Sequence, residues 1–194
     1  MTRSACIYIC IGILVVLSVV IYFFFQKPEK EEPIPAETPI TATSTVPTIS
    51  DRSIIGTSVE GREIEAYTYG SGTKHLVFVG GIHGGYEWNS VLLAYQFVDY
   101  IKANPTIIPE SLTVTVIPSA NPDGVFAVIK KEGRFLVTDV PSETGPVGTG
   151  RFNAHNVDLN RNFDCKWKPE SMWRGNVVSA GTQAFSEPEA VAIR

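Results

Sequence analysis

His83 and Glu87 are the first residues of the sequence whose types and spacing could bind a metal. They lie four positions apart in GGIHGGYEWNS, residues 80–90, directly after the apolar run HLVFV. A neutral imidazole and a carboxylate suit Zn²⁺, and the neighbouring glycines allow the backbone to turn so that both side chains converge. Taken alone, however, the pair favours a solvated loop in which Glu87 lies near a helix N-terminus.

A second group of polar residues lies in RFNAHNVDLNRNFD, residues 151–164. The alternation around Val157 and Leu159 predicts a short strand with its polar side chains on one face. These polar residues are Asp158, Asn160 and Asn162. Arg161 would then point to the other face, so the alternation alone does not place Asn160 and Arg161 in one site. Each residue also has an ordinary alternative role, such as capping a turn or forming a surface ion pair.

The elements around His83 indicate how these residues could be positioned. HLVFVGG and LTVTVIP have the composition of buried strands, and WNSVLLAYQFVDYIKAN between them has the periodicity of a helix. Its apolar face would comprise Leu93, Ala94, Phe97, Val98 and Ile101. Because this order favours a parallel strand pair, we predict an α/β fold with a mixed, largely parallel sheet flanked by helices. His83 and Glu87 would lie at the edge where open α/β sheets bind ligands.

Four motifs in order, HGGYE, NPDG, VDLNRNFD and FSEPE, resemble those of the zinc metallocarboxypeptidases of the carboxypeptidase A type. The resemblance covers residues 53–194 and implies a carboxypeptidase-like, incomplete catalytic domain that uses Zn²⁺. It implies that His83 and Glu87 are two of the three protein ligands of zinc. Asp158 would orient the zinc-bound imidazole, a role that also fixes the tautomer of the ring.

The same resemblance assigns substrate contacts to three further residues. Asn160 and Arg161 would bind the terminal carboxylate of the substrate, for which a planar guanidinium group is well suited. Arg151 would be catalytic, because it would stabilise the oxyanion of the tetrahedral intermediate. Arg134 lies in the same segment and could compete for that role.

The sequence departs from the family pattern in two ways. The family commonly spaces its first two ligands as His-x-x-Glu, whereas Gly84, Gly85 and Tyr86 intervene here. The double glycine could absorb the extra residue. The family's third zinc histidine and its catalytic glutamate lie further along the chain than this sequence reaches. The two other histidines, His75 and His155, fit neither role, and we expect both to be structural or exposed.

The last residues, SEPEAVAIR, have the signals of a helix start. Ser186 is placed as N-cap, Pro188 lies in the first turn and Glu189 occupies the capping-box position. A helix cut after about two turns, without a glycine stop, indicates an interrupted domain. We therefore expect the chain to hold about the first half of a catalytic domain and to be inactive by itself. The alternative is a natural short chain with a frayed terminal helix.

The N-terminal residues predict a membrane anchor. Residues 6–25, CIYICIGILVVLSVVIYFFF, carry no charge, and about 20 residues at ~1.5 Å each cross a ~30 Å hydrocarbon core. The alternative is a cleaved signal peptide, but this run is longer than such peptides use and no small-x-small site follows it. Residues 1–5 form a short flank, residues 26–52 a Pro/Thr/Glu-rich linker, and residues 53–194 the catalytic domain, which we expect outside the cytoplasm.

Charge and cysteine content restrict the function further. The net charge is −4 and no stretch clusters Lys and Arg, so no nucleic acid partner is expected. Three cysteines imply no disulfide framework. We therefore expect a membrane-anchored zinc metallocarboxypeptidase that acts on peptides or cell-wall peptides with a free C-terminal carboxylate. Two alternatives remain: a zinc-dependent deacylase or amidohydrolase on the same scaffold, and a non-catalytic tethered module that binds carboxylates through Arg161.

Overall fold

The computed structural model describes residues 52–143, 145–146 and 148–194. The strands are β1 (Arg52–Thr57), β2 (Glu63–Tyr69), β3 (Lys74–Val79), β4 (Leu112–Ile117), β5 (Glu170–Trp173) and β6 (Asn176–Ser179). The α-helices are α1 (Trp88–Ala103), α2 (Pro122–Ile129) and α3 (Pro188–Ile193). None of the helices in these ranges has the length and apolar character of a membrane span. The predicted flank, the predicted span and all of the linker except Arg52 lie outside the described residues.

The main sheet is mixed, with the strand order β1-β2-β4-β3. β3 and β4, which are connected through α1, pair in parallel. This confirms the parallel pair that the order of strand, helix and strand predicted. β1 pairs with β2, and β2 with β4, in antiparallel orientation. The expectation of a largely parallel sheet is therefore wrong for the described strands. For β1 and β2 the physical reason is their connection, which is too short for the crossover that a parallel pair requires.

α1 and α2 cover one face of the sheet and form the larger core. α1 buries Val91, Ala94, Tyr95, Val98 and Ile101, a stripe with the spacing of a single helical face. Three of these residues were expected in the core, but Leu93 was expected there too and its side chain is 54% exposed. At about 100° of rotation per residue, Leu93 lies on the side of α1 opposite this stripe, so it faces solvent.

The opposite face of the sheet is covered only in part. Ile64, Ala66 and Ile117 are buried there, with Ala192 and Ile193 of α3 packed against them. β3 lies at the edge of the sheet, and its residues Leu76, Val77 and Val79 are 45%, 58% and 37% exposed. The expectation that HLVFV is a buried strand is therefore wrong for the described part of the protein, because β3 has β4 as its only strand neighbour there.

The segment after Arg151 is not the strand that its alternation predicts. Val157 forms one isolated parallel bridge with Ser179, and Leu159–Arg161 forms a turn of 3-10 helix. The chain leaves the extended conformation because Asn162 is fully buried and fixes the turn. Its side chain donates to the carbonyls of Ala180 and Gln183 and to Ser186 Oγ, and accepts from the backbone N–H of Glu187.

The helix predicted at the C-terminal end is present as α3, with a different start. Glu187, rather than Ser186, is the N-cap residue, and Pro188 takes the first helical position. Glu189 does not close a capping box. Its carboxylate accepts the backbone N–H of Val59 and the side-chain N–H of Asn153 instead, so it connects α3 to the turn between β1 and β2.

Candidate metal and substrate site

Glycines bring the HGGYE segment into contact with two other segments of the chain. Gly84 and Gly85 begin a turn of 3-10 helix, Gly84–Glu87, that follows β3. A Cβ at Gly84 would lie 2.7 Å from Gly124 in α2 and 2.6 Å from the carbonyl oxygen of Gly150. A Cβ at Gly124 would lie 2.4 Å from that same oxygen. Only residues without a side chain allow these three backbone segments to meet, and their contact sets His83 beside the segment that begins at Arg151.

The imidazole of His83 lies between two carboxylates. Its Nδ1 is 2.7 Å from Oε1 of Glu87, and its Nε2 is 3.2 Å from Oδ1 of Asp158. His83 and Asp158 are buried, whereas the Glu87 side chain is 37% exposed. The four-residue spacing in HGGYE therefore allows Glu87 to face the ring of His83. The Asp158 contact also has the geometry expected of a carboxylate that fixes a histidine tautomer.

Arg151 and Asp158 form a buried ion pair beside His83. Arg151 Nη2 donates to Asp158 Oδ2 over 2.7 Å, and the two residues are 4% and 0% exposed. Burial opposes ionisation of Asp158, but the hydrogen bonds from His83 and Arg151 outweigh it and lower the pKa of this carboxyl below its ordinary value. Asp158 is therefore an anion that holds both neighbouring side chains.

The structure does not connect Asn160 and Arg161 to these residues through their side chains. Both are exposed and lie in the 3-10 helix that follows Asp158, and the contact described for Arg161 is its backbone N–H to the carbonyl of Asp158. Their assignment to substrate stays a prediction. Arg134 pairs with both carboxylate oxygens of Asp99 and stacks on Tyr95, so it is engaged on α1 rather than beside His83.

Sequence reasoning missed a buried polar cluster behind Arg151. Asn153 donates to the carboxylates of both Glu187 and Glu189, and Glu187 also accepts from Ser186 and His155. Burial opposes ionisation of Glu187, but these donors together lower its pKa. Burial raises the pKa of Glu189. The sequence did contain a signal for this cluster, the two glutamates of SEPE. They lie close together beside an apolar run, where buried carboxylates require hydrogen-bond partners.

The histidines that were expected to have no metal role also have clear positions. His75 is exposed on β3, and the His155 side chain is 58% exposed with its Nδ1 2.8 Å from Glu187 Oε2. Neither lies beside His83 in the described contacts. His83 is therefore the histidine that this part of the chain brings together with Glu87, Asp158 and Arg151.

Comparison with known proteins identifies the family. A family profile described as zinc carboxypeptidase matches residues 40–194, which is most of the chain and includes every residue of the site described above. The chain belongs to the zinc carboxypeptidase family. The resemblance noted in the sequence motifs is thereby confirmed.

The relatives in the zinc carboxypeptidase family are longer than this chain. Carboxypeptidase Z of Homo sapiens is 35% identical over 124 residues, which are 56% of this chain and 17% of that protein. Carboxypeptidase B of Homo sapiens is 32% identical over 180 residues, which are 87% of this chain and 41% of that protein. The chain thus spans less than half the length of these relatives.

A solved structure supports the same fold. The bovine thrombin-activatable fibrinolysis inhibitor, solved in complex with a tick carboxypeptidase inhibitor, aligns with a TM-score of 0.56 at 22% identity. The alignment covers 75% of this chain and 48% of that chain. At this identity the likeness establishes the carboxypeptidase-like α/β fold alone.

The residues present fit part of the zinc site that the family implies. His83 and Glu87 offer one nitrogen and one oxygen that face each other, and these are donor types that zinc accepts. The described residues hold no group of three His, Cys, Asp or Glu side chains that could bind a metal. Catalytic zinc sites have three protein ligands, and His83 and Glu87 are two side chains of suitable type.

Proposed function

We propose that the protein to which this chain belongs is a membrane-anchored, zinc-dependent carboxypeptidase that removes residues from the C-terminus of peptides. Within it, His83 and Glu87 are zinc ligands, and Arg151 is the residue that meets the oxyanion. Asn160 and Arg161 bind the terminal carboxylate of the substrate, which is a peptide or a cell-wall peptide. The residues of this chain thus bind and orient the metal and the substrate. A complete site needs further residues that this sequence does not contain.

The placement of His83 between two carboxylates is the observation that carries this proposal. A neutral imidazole has one N–H, and donation from Nε2 to Asp158 satisfies that contact. The lone pair of Nδ1 then faces an oxygen of Glu87 at 2.7 Å. Two electron-pair donors so close repel each other unless a cation lies with them, and a proton or a metal ion meets this need. A metal site explains why both side chains converge.

The chemistry divides between the metal and the chain. Zinc, when bound, polarises the scissile carbonyl and activates a water molecule. Asp158 keeps the His83 ring in the tautomer that leaves Nδ1 free to bind the metal. Arg151 offers charged N–H groups to the oxygen on which negative charge develops during attack. The third ligand and the general base belong to the part of the family's length that this chain does not span.

The substrate carboxylate needs a cation close to the metal. Arg161 follows Asp158 by three positions and is exposed, so its guanidinium is accessible to a ligand. A planar guanidinium group binds a carboxylate through two parallel hydrogen bonds. Asn160, the residue beside it, would add a neutral donor.

Zinc analysis and peptide hydrolysis test this proposal together. The full-length protein is purified with and without His83→Ala, Glu87→Gln and Arg161→Gln, and with His155→Ala as the matched control. We expect near-stoichiometric zinc in the wild type and in the control, and loss of zinc with His83→Ala. Mass spectrometry should show that an N-blocked peptide is shortened from its C-terminus, and a chelator should abolish this activity.

The remaining variants separate metal binding from substrate binding. Glu87→Gln should lower the zinc content. Arg161→Gln should leave zinc in place and raise KM roughly 10- to 100-fold, since a charge-assisted contact is lost. Release of an acyl group from an acylated amino acid, without shortening of peptides, would assign the protein to deacylases. Carboxylate binding without zinc or hydrolysis would assign it to binding modules.

The membrane anchor is tested separately. The composition of residues 6–25 supports a span and that of residues 26–52 supports an extended tether. We expect the full-length protein in the membrane fraction after an alkaline wash, with its catalytic domain accessible from outside the cytoplasm. Deletion of residues 1–25 should release it. Recovery of the undeleted protein in the soluble fraction, shortened at its N-terminus, would assign this segment to a cleaved signal peptide.

A further inference from the structure

The guanidinium group of Arg151 is enclosed by three aromatic rings. Its central carbon lies 4.5 Å from the ring centre of Trp173 and 5.8 Å from the ring centres of Tyr86 and Phe152. Trp173 contacts the other two rings edge to face, with centroid distances of 5.7 Å to Tyr86 and 6.0 Å to Phe152. We call Tyr86, Phe152 and Trp173 the aromatic box. Trp173 lies at its centre because it touches all the other members.

Hydrogen bonds alone do not fix the orientation of Arg151. One bond, from Nη2 to Asp158, holds one end of the guanidinium. Arg151 is only 4% exposed, and its buried Nε has no hydrogen-bond partner among the described residues. A buried N–H without a partner is unfavourable. Contact between a desolvated guanidinium and aromatic faces offsets that cost, and it restricts rotation about the bonds of the side chain.

The aromatic box joins two segments that are distant in sequence. Tyr86 directly precedes Glu87 in the HGGYE segment, and Trp173 ends β5. Arg174 Nη2 donates to the hydroxyl of Tyr86 over 3.1 Å, and its guanidinium carbon lies 5.4 Å from the ring centre of Trp173. The hairpin of β5 and β6 is therefore fastened to the HGGYE segment through the same rings that enclose Arg151.

We propose that Trp173 and Tyr86 are positioning residues for Arg151. Their rings hold the guanidinium in the orientation in which Nη2 donates to Asp158 and the remaining N–H groups stay free for a substrate oxygen. The inference rests on the proposed function, because it is the developing oxyanion that uses those N–H groups.

Steady-state kinetics of the full-length enzyme test the role in catalysis. Trp173→Leu removes the central ring, and we expect kcat to fall about 10- to 100-fold, since misplacing a catalytic group by an ångström has effects of this order. KM should stay within about threefold of the wild-type value, and the zinc content should not change. Trp173→Phe keeps an aromatic face and should retain most of kcat. Met172 is a neighbour on the same strand and is 56% exposed, so Met172→Ala is the matched control.

A double-mutant cycle tests the contact without any use of activity. Unfolding of the 194-residue chain is measured for the wild type, Arg151→Lys, Trp173→Leu and the double variant. Lysine retains the charge but not the planar group that stacks on a ring. We expect the two substitutions to be non-additive, with a coupling factor of about 3 to 10 in the unfolding equilibrium constant. The pair Arg151→Lys and Met172→Ala should give a factor close to one.

The two experiments distinguish the failure of this inference from the failure of the proposed function. An active enzyme in which Trp173→Leu leaves kcat unchanged, or raises KM alone, overturns the positioning role. Additive substitutions in the cycle overturn the contact itself. If the 194-residue chain shows a coupling factor above one but the full-length protein binds no zinc and cleaves no peptide, the proposed function is overturned, and the catalytic role of the box with it.

Discussion

Arg151 and Asp158 form an ion pair of 2.7 Å in which neither residue is more than 4% exposed. A buried ion pair gains little net stability when it is intact, but removal of one partner leaves a desolvated charge. The pair therefore makes the site intolerant of single substitutions. It also links the proposed oxyanion residue to the carboxylate that holds His83, so that the two are positioned together.

Asp158→Asn should destabilise the fold by about 3 to 5 kcal/mol, because Arg151 would remain buried without an anion. Urea unfolding of the purified chain measures this change. Asp99→Asn is the matched control, since Asp99 and Arg134 form an ion pair with side chains 59% and 43% exposed. The control should cost about 0 to 1 kcal/mol. Equal effects at the two positions would contradict the burial argument.

Gly124→Ala should destabilise the protein by at least about 2 kcal/mol, although alanine normally stabilises a helix relative to glycine. The added Cβ would lie 2.4 Å from the carbonyl oxygen of Gly150 and 2.7 Å from the side-chain amide nitrogen of Asn121. Thermal unfolding of the variant, monitored by circular dichroism, measures the change.

Gly133→Ala separates this packing effect from backbone strain. Gly133 has a φ of +67°, and a Cβ added there would meet no atom of the described residues within 4 Å. Alanine at this position would therefore strain the backbone without causing a steric clash. It should cost only about 1 kcal/mol. A smaller loss at Gly124 than at Gly133 would argue against close contact of the three glycine segments.

The folded protein should lose stability in acid through Glu187. The pKa of Glu187 is lowered in the folded state, so its contribution is present above the unfolded pKa and is lost as pH falls through the folded pKa. Glu187→Gln should therefore lower the melting temperature at neutral pH. The difference from the wild type should shrink as pH falls below the ordinary range of a glutamate. A constant difference for Glu187→Gln at all pH values would refute the linkage.

A chain that lacks residues 1–51 should associate through β3. This strand has an open edge in the described residues, and Leu76, Val77 and Val79 on it are exposed. Exposed apolar edge strands pair readily with other chains. Val77→Lys should reduce the association seen in sedimentation velocity, whereas Leu93→Lys, a substitution of an exposed leucine on α1, should not. Association that persists in the Val77 variant would locate the interface elsewhere.

Much of the site could be predicted from local sequence. The β3-α1-β4 unit follows from two β-branched runs and one apolar periodicity, and these signals lie within short windows. The motif HGGYE then falls at the carboxyl end of β3, and the structure places His83 and Glu87 in contact there. The contact between Asp158 and His83 was expected from the family resemblance, not from spacing, because 75 residues separate them.

The sequence by itself determined features that depend on neighbouring residues: the strands β3 and β4, the helix α1, the glycine-rich HGGYE segment and the resemblance to a family. The tertiary structure alone decided the antiparallel pairing of β2 with β4, the 3-10 turn at Leu159–Arg161 and the enclosure of Arg151 by Trp173. Each of these depends on partners far away in the chain, such as the four groups that hold Asn162. A residue's type states which hydrogen bonds and contacts it needs, but only the folded chain determines which partner meets that need.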